Sequence, residues 1–264
     1  MIDESVSQMI RNQGVQEIPY LFAFAQVLVA VSQTEGRYGT TRTPRKFWSK
    51  WEEEEFSEAD REAIKNQPLS PDQGQALFSD KPAKVRRHFE QLWANPVLPT
   101  EQDELLIGIL SPKRLLSLLR YYILYYKHDK IIARYQQFFG IESLLRRITG
   151  VDDAGSRHGG VIWHTTGSGK SFTMVFLSKL LILHEALRQC RVIVVTDRVD
   201  LEKQLSRTFA ASGALGLTST SSGDPGKARM STGKELAYQI GKGDQRVVFT
   251  LVQKFLSAIK LKEC

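Results

Sequence analysis

Gly159-Gly160-Val161-Ile162-Trp163-His164-Thr165-Thr166-Gly167-Ser168-Gly169-Lys170-Ser171 decides the reading of this chain. The short apolar run Val161–Trp163 predicts a strand. A turn of small residues follows, and then Phe172–Leu187, an apolar-rich segment that predicts a helix. Strand, glycine loop, Lys-Ser and helix is the layout of a phosphate-binding loop. Gly167 and Gly169 let the backbone curl so that several N–H groups face one anion. The helix start adds free N–H groups and its positive dipole end. Thr166, Gly167, Ser168, Gly169, Lys170 and Ser171 are therefore the candidate nucleotide-binding residues. Lys170 is the counter-charge for β- and γ-phosphates, and the Ser171 hydroxyl is the candidate Mg²⁺ ligand. The implied cofactors are ATP and Mg²⁺. The strict pattern asks for glycine where His164 stands, and Thr165 to Ser171 is the shorter form that helicase-type motors tolerate. A glycine turn with an incidental lysine is the alternative, and the flanking order of strand and helix argues against it.

Working outward, Val192-Ile193-Val194-Val195 is a β-branched run of the kind found in a strand buried in a parallel sheet. Thr196, Asp197 and Arg198 lie just past its carboxyl end, where such sheets bind ligands. Thr196 and Arg198 are candidate contacts for a nucleic-acid backbone, and Asp200 is the expected cap of the next helix. Residues 212–235 are rich in Gly, Ser and Thr and predict a surface loop. Arg246–Thr250 predicts a third strand, and Lys254 just after it is the third candidate DNA contact. Upstream, Gln137 stands some thirty residues before the loop. Its amide both donates and accepts, as adenine recognition requires, with Tyr135 or Phe138 placed to stack.

The first 110 residues carry less chemistry. Pro19 interrupts any helix there, and the β-branched end of the run to Val31 favours a strand. Tyr38, Phe47 and Trp48 interleave with basic residues, a mixture that suits nucleic acid but more commonly anchors a loop. Glu52–Ile64 reads as a solvated helix and Lys84–Trp93 as an amphipathic one. Ser111-Pro112 starts a helix whose apolar face is expected to run from Leu115 to Tyr126.

Composition sets outer bounds. The chain has 264 residues, 42% hydrophobic and 25% charged, within the ordinary globular range. No apolar run is long enough to span a bilayer. Met1–Gln16 is too polar for a signal peptide, and two cysteines, Cys190 and Cys264, suggest neither a disulfide framework nor a metal cluster. A cytoplasmic location is the default expectation. The net charge of +7 is uneven: residues 1–110 hold 12 basic and 17 acidic residues, and residues 111–264 hold 24 and 12. The phosphate loop sits in the basic part, which suits a polyanionic partner.

Three stretches together resemble a known family. Val161–Ser171, Val194–Leu201 and Thr250–Phe255 are similar to the first motor motifs of the R (restriction, or motor) subunit of type I restriction enzymes. Arg134-Tyr135-Gln136-Gln137 resembles that family's adenine-side motif. Ile18–Phe22 and Tyr38-Gly39-Thr40 resemble the segment that closes its nuclease domain. The resemblance implies an ATP-driven translocase and endonuclease of double-stranded DNA, working with methyltransferase (M) and specificity (S) subunits and away from membranes. It implies an α/β fold: a partial RecA-like sheet of the superfamily 2 helicase type, preceded by a mostly helical segment. The expected division is 1–50 as the end of a nuclease domain, 51–110 as a helical linker and 111–264 as the first part of the ATPase lobe. No Asp-Glu-x-His strand end follows the loop, and the nuclease Glu-x-Lys signature is not present. The chain thus reads as a middle slice of a larger subunit, with no catalytic residue assigned and independent activity not expected. The alternatives are an inactive remnant or scaffold that keeps the loop, another superfamily 2 helicase or translocase, and a small nucleotide kinase. The last lacks the acidic strand end it would need.

Overall fold

The computed structural model describes residues 2–126, 129–165, 167–187, 189–213 and 228–261. The chain forms two units. One comprises Met1–Ala23, Leu28–Gly39 and Pro44–Leu115; the other comprises Phe24–Val27, Thr40–Thr43 and Leu116–Cys264.

In the first unit, helix α1 (Ile2–Arg11) packs against an antiparallel hairpin of β1 (Leu28–Ser32) and β2 (Glu35–Gly39). The register runs from Leu28 opposite Gly39 to Ser32 opposite Glu35. Leu28 and Ala30 alternate inward, as a half-buried strand requires. Tyr38 is fully buried and meets Trp51 edge-on at 5.8 Å. Helices α2 (Glu58–Lys65) and α3 (Pro71–Phe78) start at reciprocal capping boxes, Ser57 with Asp60 and Ser70 with Gln73. Helix α4 (Ala83–Leu92) meets α3 through rings, with Phe78 and Phe89 centred 6.0 Å apart. Helix α5 (Glu101–Leu110) covers β2 so closely that a Cβ at Gly36 would lie 2.9 Å from Leu105.

The helix expected from Glu52 begins only at Glu58. The intervening acids have another partner. Arg114, near the start of α6 (Pro112–Tyr121), binds the carboxylates of both Glu53 and Glu55. Glu53 also accepts from Trp51 Nε1 at 2.8 Å and from the Glu55 main chain at 2.9 Å. These bonds hold its carboxyl below the usual range, although burial pushes the other way.

In the second unit the chain leaves α6 at Tyr121, not at Tyr126 as the apolar face suggested. Ile123–Tyr126 forms β3, which pairs antiparallel with β4 (Asp129–Ile132). Its β-branched and aromatic residues find a partner strand, and that pairing overrides helical continuation. Helix α7 (Tyr135–Thr149) follows, then α8 (Lys170–Leu183), which packs on it. Lys179 of α8 donates to the Ile123 carbonyl at 2.8 Å, and burial pushes its ammonium pKa down.

The expected parallel sheet is present as β5 (Val192–Thr196) beside β6 (Val247–Leu251), in register from Val192–Val247 to Thr196–Leu251. Between them lie α9 (Val199–Ala211) and α10 (Gly233–Gly241), and α11 (Val252–Lys260) follows β6. Phe209 of α9 meets Phe249 of β6 edge-on at 5.0 Å in the core. The far side of β6 is occupied too: Met230 N–H donates to Phe249 O, and Phe249 N–H donates to Ala228 O. Asp200 does not cap α9; Arg198 holds the cap position without a side-chain bond, and Asp200 lies in the first turn, where its charge suits the helix dipole.

Val161–Trp163 corrects the strand expectation. These residues take no regular structure, and Val161 and Trp163 are 95% and 86% exposed. A strand exists only where an edge satisfies its main-chain groups. Among the described residues, no edge faces this three-residue run.

Candidate functional site

The candidate phosphate loop is built on two left-handed glycines. Gly167 has φ 80° and Gly169 has φ 86°, a region where other L-residues are strained. The second glycine is also crowded: a Cβ there would lie 3.1 Å from Gln137 Nε2, whereas one at Gly167 would meet open space. Lys170 is the first residue of α8. Its Nζ turns back and donates to the Thr165 carbonyl at 3.0 Å, so the loop closes on its own lysine. Ser168 N–H donates to the same carbonyl at 3.3 Å. Ser168 Oγ, by contrast, is buried and has no hydrogen-bond partner among the described residues. A buried hydroxyl left unpaired inside a loop of this shape fits an anion that supplies the missing bond. Ser171 sits half-buried in the first turn of α8, while Thr166 lies outside the described residues.

Gln137 is 5% exposed and is brought directly onto this loop. Its Oε1 accepts from Arg134 N–H at 3.0 Å. Its Nε2 donates to Gly169 O at 3.2 Å and to Thr173 Oγ1 at 3.3 Å. Thr173, on α8, was not singled out from sequence. Its signal was its place one turn after Gly169, whose carbonyl also takes the Thr173 N–H at 3.1 Å. Phe138 is not a stacking platform: it is 3% exposed and packs against Tyr122 at 4.7 Å and Phe139 at 5.2 Å. Tyr135 remains half-exposed at the start of α7.

The three candidate DNA contacts lie at the carboxyl ends of the parallel strands. Thr196 ends β5 and is buried, its hydroxyl donating to Arg198 O at 3.4 Å. Arg198 is exposed. Lys254, in the first turn of α11, donates to Met230 O at 2.8 Å and stands 4.0 Å from Glu202. Glu202 was not anticipated. It is 1% exposed on the inner face of α9 and pairs with Arg229 at 2.8 Å, while its Oε1 accepts no hydrogen bond. Its three- and seven-residue spacing to Leu205 and Phe209, both buried, is the sequence signal that places it on the core face. Among the described residues, no group of three or more His, Cys, Asp or Glu side chains is arranged to hold a metal. No described helix is long and apolar enough to cross a membrane.

Residues 136–263 match the family model described as SWI2/SNF2 ATPase. The HindI type I restriction enzyme endonuclease subunit of Haemophilus influenzae is 38% identical over 117 residues, covering 42% of this chain and 11% of that protein. The MjaIXP endonuclease subunit of Methanocaldococcus jannaschii, described as a type I restriction enzyme, is 29% identical over 248 residues, covering 91% of this chain and 20% of that protein. A Staphylococcus aureus type I restriction enzyme endonuclease subunit is 28% identical over 157 residues, covering 58% of this chain and 15% of that protein. The chain thus spans between a tenth and a fifth of the length of these relatives.

Proposed function

We propose that this chain, a relative of the endonuclease subunits of type I restriction enzymes, binds ATP with Mg²⁺ at the Gly167–Ser171 loop and serves the DNA-translocating motor of a DNA-cleaving subunit. One observation carries the reading. Two left-handed glycines stand immediately before α8, with Lys170 at its first position and a buried, unpartnered Ser168 hydroxyl between them. Bound ATP would supply the phosphoanhydride whose cleavage drives such a motor. Lys170 would exchange the Thr165 carbonyl for phosphate oxygens, Ser168 would donate its free hydroxyl, and Ser171 would offer its oxygen to the metal. Gln137 holds the loop's shape from α7, and its assignment to the adenine side requires its Nε2 to exchange Gly169 O and Thr173 Oγ1 for the base. Thr196, Arg198 and Lys254 are assigned to a double-stranded DNA backbone. In this reading residues 1–50 close a nuclease domain, 51–110 connect, and 111–264 begin the ATPase lobe. The subunit would act in the cytoplasm with methyltransferase and specificity partners.

The test is titration of a fluorescent ATP analogue, with and without Mg²⁺, against this chain and Lys170→Ala. Binding that weakens tenfold or more in the variant supports the reading. Equal binding by both, or binding by neither, overturns it. A scaffold that keeps the loop without using it is the second reading, favoured by the exposed, unpaired Val161–Trp163 run beneath the loop. Absence of nucleotide binding in the same titration would select it.

A further inference from the structure

A second candidate binding cleft lies in the unit that carries the phosphate loop. It has a volume of about 410 Å³ and is lined by Tyr126, Asp200, Lys203, Gln204, Arg207 and Thr208. Five of these six residues belong to α9, and Tyr126 ends β3. Lys203 and Arg207 are four residues apart, so they share one face of the helix, about 6 Å apart along its axis. Both are exposed, and neither has an ion-pair partner among the described residues. Asp200 stands nearly one turn before Lys203, so favourable contact with an anion is confined to the Lys203–Arg207 end of the cleft. Gln204 is exposed between the two cations and adds an amide. Tyr126 contributes a half-buried ring, braced edge-on at 5.3 Å by Phe172 in the first turn of the phosphate-loop helix. Two cations on one helix face beside a braced aromatic ring match the chemistry of a nucleic-acid strand. Phosphates meet the cations, and a base or sugar meets the ring. A polar cleft with unpaired positive charge has little to offer an apolar ligand.

We propose that this cleft is a nucleic-acid contact, with backbone phosphates on Lys203 and Arg207 and a nucleoside on Tyr126. The proposal rests on the DNA-motor reading above and adds a contact surface to the residues assigned there. It also sets a nucleic-acid contact against the first turn of α8, one ring away from the phosphate loop.

The experiment measures binding of a labelled DNA duplex and a labelled single strand to the full chain by fluorescence anisotropy, from about 50 to about 200 mM salt. The variants are Lys203→Ala/Arg207→Ala and Tyr126→Leu, with far-UV circular dichroism as the folding control. Each phosphate contact contributes about 0.9 to the slope of log affinity against log salt on a duplex. The double variant is expected to lose about 2 from that slope. Tyr126→Leu is expected to lower affinity roughly fivefold or more with the slope kept, because stacking carries no counterion. Wild-type binding with both variants unchanged overturns the cleft and leaves the DNA reading standing. No binding by the wild-type chain overturns the DNA reading and the cleft with it. Inorganic tripolyphosphate is the remaining arm. If it binds the wild type more tightly than the double variant while DNA binding is the same in both, the cleft takes free polyphosphate, and the nucleic-acid assignment falls.

Discussion

The side-chain Nε2 of Gln137 lies 3.2 Å from the main-chain oxygen of Gly169, and that one bond ties the start of α7 to the loop ahead of α8. The same amide accepts from Arg134 N–H and donates to Thr173 Oγ1, so three groups depend on it. Replacing it by leucine takes this acceptor from Arg134 N–H and one bond each from Gly169 O and Thr173 Oγ1, while Gly169 O keeps the Thr173 N–H. Gln137→Leu is expected to cost about 1–3 kcal/mol. In a domain of this size that is a fall in Tm of several degrees. Nucleotide affinity is expected to fall with it. A variant that melts and binds like the parent would show that the loop keeps its shape unaided.

The two loop glycines are expected to differ. Gly167→Ala meets no neighbour and suffers only the cost of the left-handed backbone, about 1–2 kcal/mol. Gly169→Ala suffers the same cost and also presses a methyl against Gln137 Nε2 at 3.1 Å. The second variant should therefore be the less stable, and it should lose more nucleotide affinity. Thermal melts of the pair decide this, and equal melts would refute the contact.

The Arg114–Glu53 pair makes a different prediction. Glu53 and Arg114 side chains are 0% and 5% exposed. Arg114→Met strands a buried carboxylate, and a broken pair of this kind costs about 3–5 kcal/mol. Adding Glu53→Gln removes the stranded charge and should recover part of the loss. Urea denaturation of the single and double variants tests it, and no recovery in the double variant would assign the loss to stacking of the Arg114 guanidinium on the Trp51 and Phe56 rings.

Acid should act on Asp103. Its burial alone would raise its pKa, but hydrogen bonds from Lys65 and from the Thr100 main chain and hydroxyl outweigh burial and hold it below the ordinary carboxylate value. A depressed carboxyl contributes stability that is complete above the unfolded-state pKa, about 3.9, and lost as pH falls through the folded value. The start of α5 should therefore weaken below about pH 4. Asp103→Asn should be less stable at neutral pH by about 0.5–2 kcal/mol, the usual worth of a lost cap, and should show a flatter acid limb. An acid limb identical to the parent's would remove Asp103 from this role.

Most of the fold of the second unit was legible because its signals are local. Four β-branched residues in a row marked β5, the glycine pattern marked the loop, and a long apolar-rich segment marked α8. What escaped detection depends on partners distant in sequence. Glu53 and Glu55 look like a helix start until Arg114, some sixty residues on, claims them. Ile123 and Tyr126 fit a helical face until β4 offers a ladder. Val161–Trp163 has strand composition but no facing edge among the described residues. At the site, the glycines and Lys170 were readable from spacing. The three bonds of the Gln137 amide, the pairing of buried Glu202 with half-buried Arg229 and the Tyr126–α9 cleft were not, because each joins elements that only folding brings together.

The strand β5 has a consequence for handling the protein. Among the described residues it is paired on one side only, by β6, and Val195 on it is 40% exposed. A free edge of valine and isoleucine is a template on which another chain can add a strand. The net charge of +7 opposes that encounter at low ionic strength, and added salt screens the repulsion. Concentrated samples should therefore self-associate as salt rises, a colloidal behaviour set by a few unpaired main-chain groups.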